Sequence, residues 1–124
     1  MATLKPTLTL TSSDMNGDVL NLSSTDSLSI LGQVTTKQVV TTSSSVTFAA
    51  HGGYTKSYVY LKNLSATVAE TILIELASGN DDVIELGAGE FAFFPWSSTH
   101  DLRADANGTG TPTLEVRIYQ QSAA

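Results

Sequence analysis

Polar and apolar residues alternate with a period of two along much of the chain, the pattern of strands that bury one face. Thr7-Leu8-Thr9-Leu10-Thr11 and Val19-Leu20-Asn21-Leu22 show it on either side of Met15-Asn16-Gly17-Asp18. Asn-Gly accepts the positive φ angles of a tight turn, so a β-hairpin is predicted over 7–22. Residues 23–36 hold Leu28, Ile30 and Leu31 among polar residues with Gly32 as a break, and read as a short strand or an extended connector. Gln38-Val39-Val40-Thr41 and Val46-Thr47-Phe48 flank a polar turn and predict a second hairpin. Ser57-Tyr58-Val59-Tyr60-Leu61-Lys62-Asn63 is the strongest strand, rich in aromatic and β-branched residues, with Thr71-Ile72-Leu73-Ile74-Glu75-Leu76 as its expected partner. A further strand, Val83 to Leu86, leads through Gly87-Ala88-Gly89 into Phe91-Ala92-Phe93-Phe94-Pro95-Trp96. The stretches 101–106 and 113–119 alternate around Asn107-Gly108-Thr109-Gly110 and predict a closing hairpin. Val68, Ile72 and Leu76 share helical spacing, but the density of β-branched residues and the lack of caps argue against a helix. Roughly eight to ten short strands with regular turn signals predict an all-β chain, an antiparallel β-sandwich or jelly-roll-like fold. It divides into an N-terminal hairpin or extended arm over 1–36 and a sandwich over 37–124, or runs as one continuous domain.

Composition sharpens this. Charged residues make up only 15%, while serine and threonine supply about a quarter of the chain, so hydroxyls carry its polarity. Such residues favour strands and turns over helix interiors. With 124 residues, 41% of them hydrophobic, the chain can build one core. A net charge of -6 repels polyanions, so no direct nucleic-acid partner is expected. The absence of cysteine excludes disulfides, thiolate nucleophiles and cysteine metal sites. The opening residues show no export signal and no apolar run is long enough for a membrane helix, so no membrane partner is expected.

The candidate chemistry is sparse. Ser97, Ser98, His100 and Asp101 cluster in sequence, but triad members converge from separate elements, and no Gly-x-Ser-x-Gly elbow is present. His51, His100, Asp81 and Asp82 lack transition-metal spacing; Gly79-Asn80-Asp81-Asp82 and Asp14, Asn16 and Asp18 offer oxygen ligands for calcium but match no calcium loop. Glu85 and Glu90 could be imagined as a glycosidase pair, though no cleft is evident. Asn63-Leu64-Ser65 and Asn107-Gly108-Thr109 fit the glycosylation pattern. Alternation sends Phe91 and Phe93 to one face and Phe94 and Trp96 to the other, which raises the possibility of a sugar-stacking platform. Neither a catalytic residue, a cofactor nor a metal ligand is expected.

At Val59-Tyr60-Leu61-Lys62-Asn63-Leu64, Ile72-Leu73-Ile74-Glu75-Leu76, Leu86-Gly87-Ala88-Gly89-Glu90-Phe91-Ala92-Phe93-Phe94-Pro95-Trp96 and the closing Thr111-Pro112-Thr113-Leu114-Glu115-Val116-Arg117-Ile118-Tyr119, the chain resembles small β-sandwich structural proteins of tailed bacteriophages. The resemblance covers residues 57–120, about half the chain. It implies a non-enzymatic virion structural protein, assembled in the host cytoplasm, with the major capsid protein or other virion proteins as partners. A capsid decoration or cement role comes first; a tail or fibre component, or a carbohydrate- or receptor-binding module, is the alternative. The residues themselves point the same way: a hydroxyl-rich sandwich offers rigid edges, and a polar arm can add strands to a neighbour. A homo-oligomer is expected, with a trimer favoured, and Leu8, Leu10, Leu20 and Leu22 of the arm together with Trp96 are the candidate interface residues.

Overall fold

The computed structural model describes residues 2–14, 20–76, 81–108 and 110–121. In chain order the strands are β1 (Ala2–Leu4), β2 (Thr7–Ser12), β3 (Leu20–Thr25), β4 (Leu28–Val40), β5 (Val46–Ala49), β6 (Ser57–Asn63), β7 (Glu70–Leu76), β8 (Asp81–Leu86), β9 (Phe91–Trp96), β10 (Leu102–Gly108) and β11 (Thr113–Gln121). There is no helix among the described residues.

Two antiparallel sheets face each other, one ordered β1-β4-β11-β6-β9 and the other β5-β10-β7-β8, while β2 and β3 form a separate two-stranded sheet. The pairings are nested: β7 pairs with β8, β6 with β9, β5 with β10 and β4 with β11. The stretch from β4 to β11 is therefore one long hairpin rolled up so that successive strand pairs alternate between the sheets. This is a jelly roll, as the strand count and patterning predict.

The rolling corrects three of the expected hairpins. The polar 42–45 segment does not join paired strands; it carries the chain from the first sheet into the second. Thr41 donates both its N–H and its hydroxyl to the Pro112 carbonyl, at 3.0 and 2.7 Å, holding the end of β4 beside β11. The Ala106 N–H donates to the Thr42 carbonyl at 2.6 Å and hooks the crossing onto β10. Likewise β6 does not pair with β7, nor β10 with β11; each pair is split between the sheets. Period-two alternation reports which face of a strand is buried, and that is the same whether the next strand lies beside it or across the core. The 7–22 hairpin does form, as β2 and β3 in register from Thr7↔Thr25 to Ser12↔Leu20, and its Asn16-Gly17 turn lies outside the described residues. Strand β4 runs without a break through 36 and 37, pairing with β1 at one end and β11 at the other. Only β2 and β3 stand apart from the two large sheets.

The core fills the space between the sheets with inward residues of both, among them Val59, Leu61, Ile72, Ile74, Leu114 and Val116, all fully buried. Three polar residues, Thr41, Ser57 and Asn63, are equally buried, and Asn63 sits at the corner where β6 ends. Its Nδ2 donates to the carbonyls of Glu70 and Leu86, and its Oδ1 accepts from the Ser65 N–H. This disposes of Asn63-Leu64-Ser65 as a glycan acceptor in the folded chain, because every side-chain polar atom of Asn63 is already bonded inside.

Candidate functional site

The first sheet turns an aromatic face outward. In β6 the inward positions are Val59 and Leu61, so Tyr58, Tyr60 and Lys62 point away from the core. In β9 the same parity leaves Phe91 and Phe93 outside, 62% and 40% exposed. The register sets Tyr60 opposite Phe93 and Lys62 opposite Phe91. Across the strands, Tyr58 stacks with Phe93 and Tyr60 with Phe91, with ring centroids 6.4 and 6.3 Å apart. The Lys56 ammonium lies 5.6 Å from the Tyr58 ring centroid. Strand β11 adds Tyr119 and the pair Glu115 and Arg117, in which Arg117 Nη2 donates to Glu115 Oε2 at 3.3 Å.

The β2–β3 hairpin is amphipathic. Residues opposite each other in register share a face, so Leu8, Leu10 and Leu22 lie on one side, where Leu20 also takes its register position opposite Ser12. Threonines 7, 9 and 11 with Asn21, Ser23 and Thr25 occupy the other side. Leu8, Leu10 and Leu22 are 48%, 43% and 43% exposed, so the apolar side is only about half covered by the described residues. Between the base of this hairpin and the aromatic face lies an open cavity of about 730 Å³, lined from one side by Leu4, Leu8 and Asp26 and from the other by Tyr58, Tyr60, Phe93 and Arg117.

Trp96, the remaining candidate interface residue, points into the core and is 6% exposed. Its ring packs on Tyr54 at 5.9 Å and its Nε1–H donates to the His100 carbonyl at 3.1 Å. The aromatics available to a partner are therefore Phe91 and Phe93.

The 97–101 cluster does not converge. The Ser98 hydroxyl donates to the Tyr54 carbonyl, Ser97 and Thr99 share a hydrogen bond, and Thr99 Oγ1 meets His100 Nδ1 at 3.2 Å. Asp101 turns instead to His51, accepting its backbone N–H at 2.8 Å and lying 2.6 Å from its Nδ1. The backbone N–H of His51, and then its ring, hold the Asp101 carboxyl below the usual carboxylate range. Among the described residues no serine hydroxyl bonds to the His51 ring. Of the imagined acidic pair, Glu90 closes its own turn by accepting the Gly87 N–H at 2.6 Å, while Glu85 lies on β8 in the other sheet.

Sequence reasoning missed a group of carboxylates on the outer face of the second sheet. Glu75, Asp82 and Asp105 come from three adjacent strands and can bring ligand oxygens within 4.8 Å of one another. Glu75 is 4% exposed and takes a hydrogen bond from the Ser45 hydroxyl; Asp105 Oδ1 is buried with no partner. Burial, and then the charges of Glu75 and Asp82, push the Asp105 carboxyl above its ordinary value of 3.8. These are the residues that could hold a hard cation such as calcium. Asp82 stood among the metal candidates of the sequence; Glu75, a lone glutamate in the apolar run of β7, and Asp105 did not. A raised carboxyl pKa costs stability above that pKa, and the cost fades as pH falls toward 3.8. Asp105→Asn is therefore expected to raise stability at pH 7 by about 0.5–1 kcal/mol through relief of like charges across strands. The gain should shrink in acid, as thermal melts across pH will show.

No protein-family model matches the chain, and a search of curated proteins finds no match. Among solved structures it is similar to a chain from the Bacillus endospore appendages, described as forming a novel family of disulfide-linked pili, with a TM-score of 0.47 and 17% identity over 90% of this chain and 97% of that one. That likeness is too distant to transfer a role.

Proposed function

We propose that this chain is a non-enzymatic structural subunit that attaches to a protein lattice, and that the lattice is the head of a tailed bacteriophage, where it serves as a decoration or cement protein in contact with the major capsid protein. The observation that carries the assembly reading is the β2–β3 hairpin. A two-stranded ribbon is marginal in water, yet this one leaves Leu8, Leu10 and Leu22 each more than 40% exposed. Apolar side chains held in that way on a rigid jelly roll are suited to burial against a neighbour. The resemblance over residues 57–120 supports a phage virion, within which a head decoration role is preferred to a tail or fibre role, and a trimer is the favoured state. With no cysteine in the chain, its subunits are not joined by disulfides.

The test is co-sedimentation of the purified chain with phage heads that lack it, followed by thermal challenge of the loaded heads. Binding that raises the melting temperature of the heads, and that is lost in Leu10→Ser/Leu22→Ser, is the expected result. Heads that neither bind the chain nor gain stability overturn the cement role. The exposed Phe91 and Phe93 favour one second reading, a glycan-binding module; glycan-array signal that disappears in Phe93→Ser would select it.

A further inference from the structure

We infer that the aromatic outer face of the first sheet is the seat for the leucine hairpin of a second copy of this chain, an inference that rests on the assembly reading above. Both surfaces occur on one molecule, and each leaves apolar side chains exposed, Leu10 and Leu22 on the hairpin and Phe91 and Phe93 on the face. The chain's own hairpin does not close onto its own aromatic face: the two leave the 730 Å³ cavity between them. Of the exposed leucines only Leu8 reaches the lining, while Leu10 and Leu22 remain 43% exposed beyond it.

Charge fits the same pairing. From Pro6 to Thr36 the sequence holds no lysine or arginine, and the hairpin region carries Asp14, Asp18 and Asp26. The aromatic face holds Lys56, Lys62 and Arg117, half of the six cations in a chain of net charge -6, with Arg117 paired to Glu115. An acidic, leucine-faced ribbon thus meets a cationic, aromatic sheet. Shape agrees as well: one apolar sheet face packs on another, and the hydroxyl side of the hairpin stays in water. Because the hairpin of one copy meets the face of the next, the contact is head-to-tail. It closes into a ring if the rotation per copy allows, and otherwise extends as a filament.

The test uses the full chain and two variants, one with a disabled hairpin (Leu10→Ser/Leu22→Ser) and one with a disabled face (Phe91→Ser/Phe93→Ser), their masses measured in solution. The wild type is expected to form oligomers, and each variant alone to weaken self-association by more than about tenfold. An equimolar mixture of the two should give a heterodimer, since one intact hairpin still meets one intact face. If the face variant fails to fold, Lys62→Glu/Arg117→Glu replaces it, changing only charge on that face. Variants that stay monomeric on mixing, a variant that assembles like the wild type, or a monomeric wild type whose aromatic face binds a glycan instead, each overturn the inference. A monomer that still binds phage heads sinks this seat and spares the cement role. Oligomers that pass the mixing test and ignore phage heads do the reverse.

Discussion

Trp96→Ala is expected to destabilise the protein by about 3–5 kcal/mol, lowering its melting temperature by on the order of 10 °C. The indole is 6% exposed and packs in the core with Phe48, Leu102 and other buried residues, so its removal leaves a large cavity. It also strands the His100 carbonyl, which accepts from Nε1 at 3.1 Å. Trp96→Phe keeps most of the apolar volume and should cost less, about 1 kcal/mol for the missing hydrogen bond plus a partial cavity. Urea unfolding monitored by circular dichroism checks both, and a Trp96→Ala midpoint equal to that of the wild type would contradict the core placement. The functional reading follows: loss of partner binding in Trp96→Ala would report a damaged fold. The same loss in Phe93→Ser, at a position 40% exposed, would report a damaged surface.

Asn63→Ala should cost about 2–4 kcal/mol, a large effect for a polar residue. The side chain ties together the ends of three strands: its amide nitrogen holds Glu70 at the start of β7 and Leu86 at the end of β8, and its amide oxygen orders Ser65 just past β6. Its backbone continues the tie, donating to the Glu90 carbonyl and accepting from the Gly89 N–H, both at 3.0 Å. Gly89 adopts a φ of 78°, a turn geometry that a side chain would strain. Alanine would remove the side-chain partner of two carbonyls and one N–H at a corner where Asn63 itself is fully buried. Asn63→Asp would be worse at neutral pH, setting a carboxylate against two carbonyl oxygens, and should recover in acid as the carboxyl takes up a proton. Chemical denaturation of both variants at pH 7 and pH 4 separates these outcomes, and equal stability at the two pH values for Asn63→Asp would refute the donor role of Nδ2.

Alternation sorted the residues of each strand into two faces. It set Phe94 and Trp96 on one face and Phe91 and Phe93 on the other, and Leu8, Leu10 and Leu22 on one side of their hairpin. It did not say which face is buried, so Trp96 reads as an interface residue although it lies in the core. Nor could it convey adjacency. A polar segment such as 42–45 has the same composition whether it reverses a hairpin or bridges two layers. The contacts that decide between these, Thr41 with Pro112 and Ala106 with Thr42, join residues far apart in sequence. The same limit hid the carboxylate group, because Glu75, Asp82 and Asp105 become neighbours only once β8, β7 and β10 lie side by side. The aromatic face was half legible: Phe91 and Phe93 were separable from Trp96 by parity, but the contribution of Tyr58, Tyr60 and Arg117 depends on β6 and β11 pairing with one another, which no local pattern encodes.

The position of β11 has a consequence for how the molecule is born. It is the last strand in sequence, yet it lies between β4 and β6, which are translated long before it. The innermost pair, β7 with β8, can zip as soon as both have left the ribosome, whereas the first layer waits with a strand-wide gap at its centre. Until that gap is filled, β4 and β6 each show a bare hydrogen-bonding rim to the cytosol. A nascent chain that lacks β11 therefore carries two sticky margins, and safe maturation hinges on the prompt arrival of that strand.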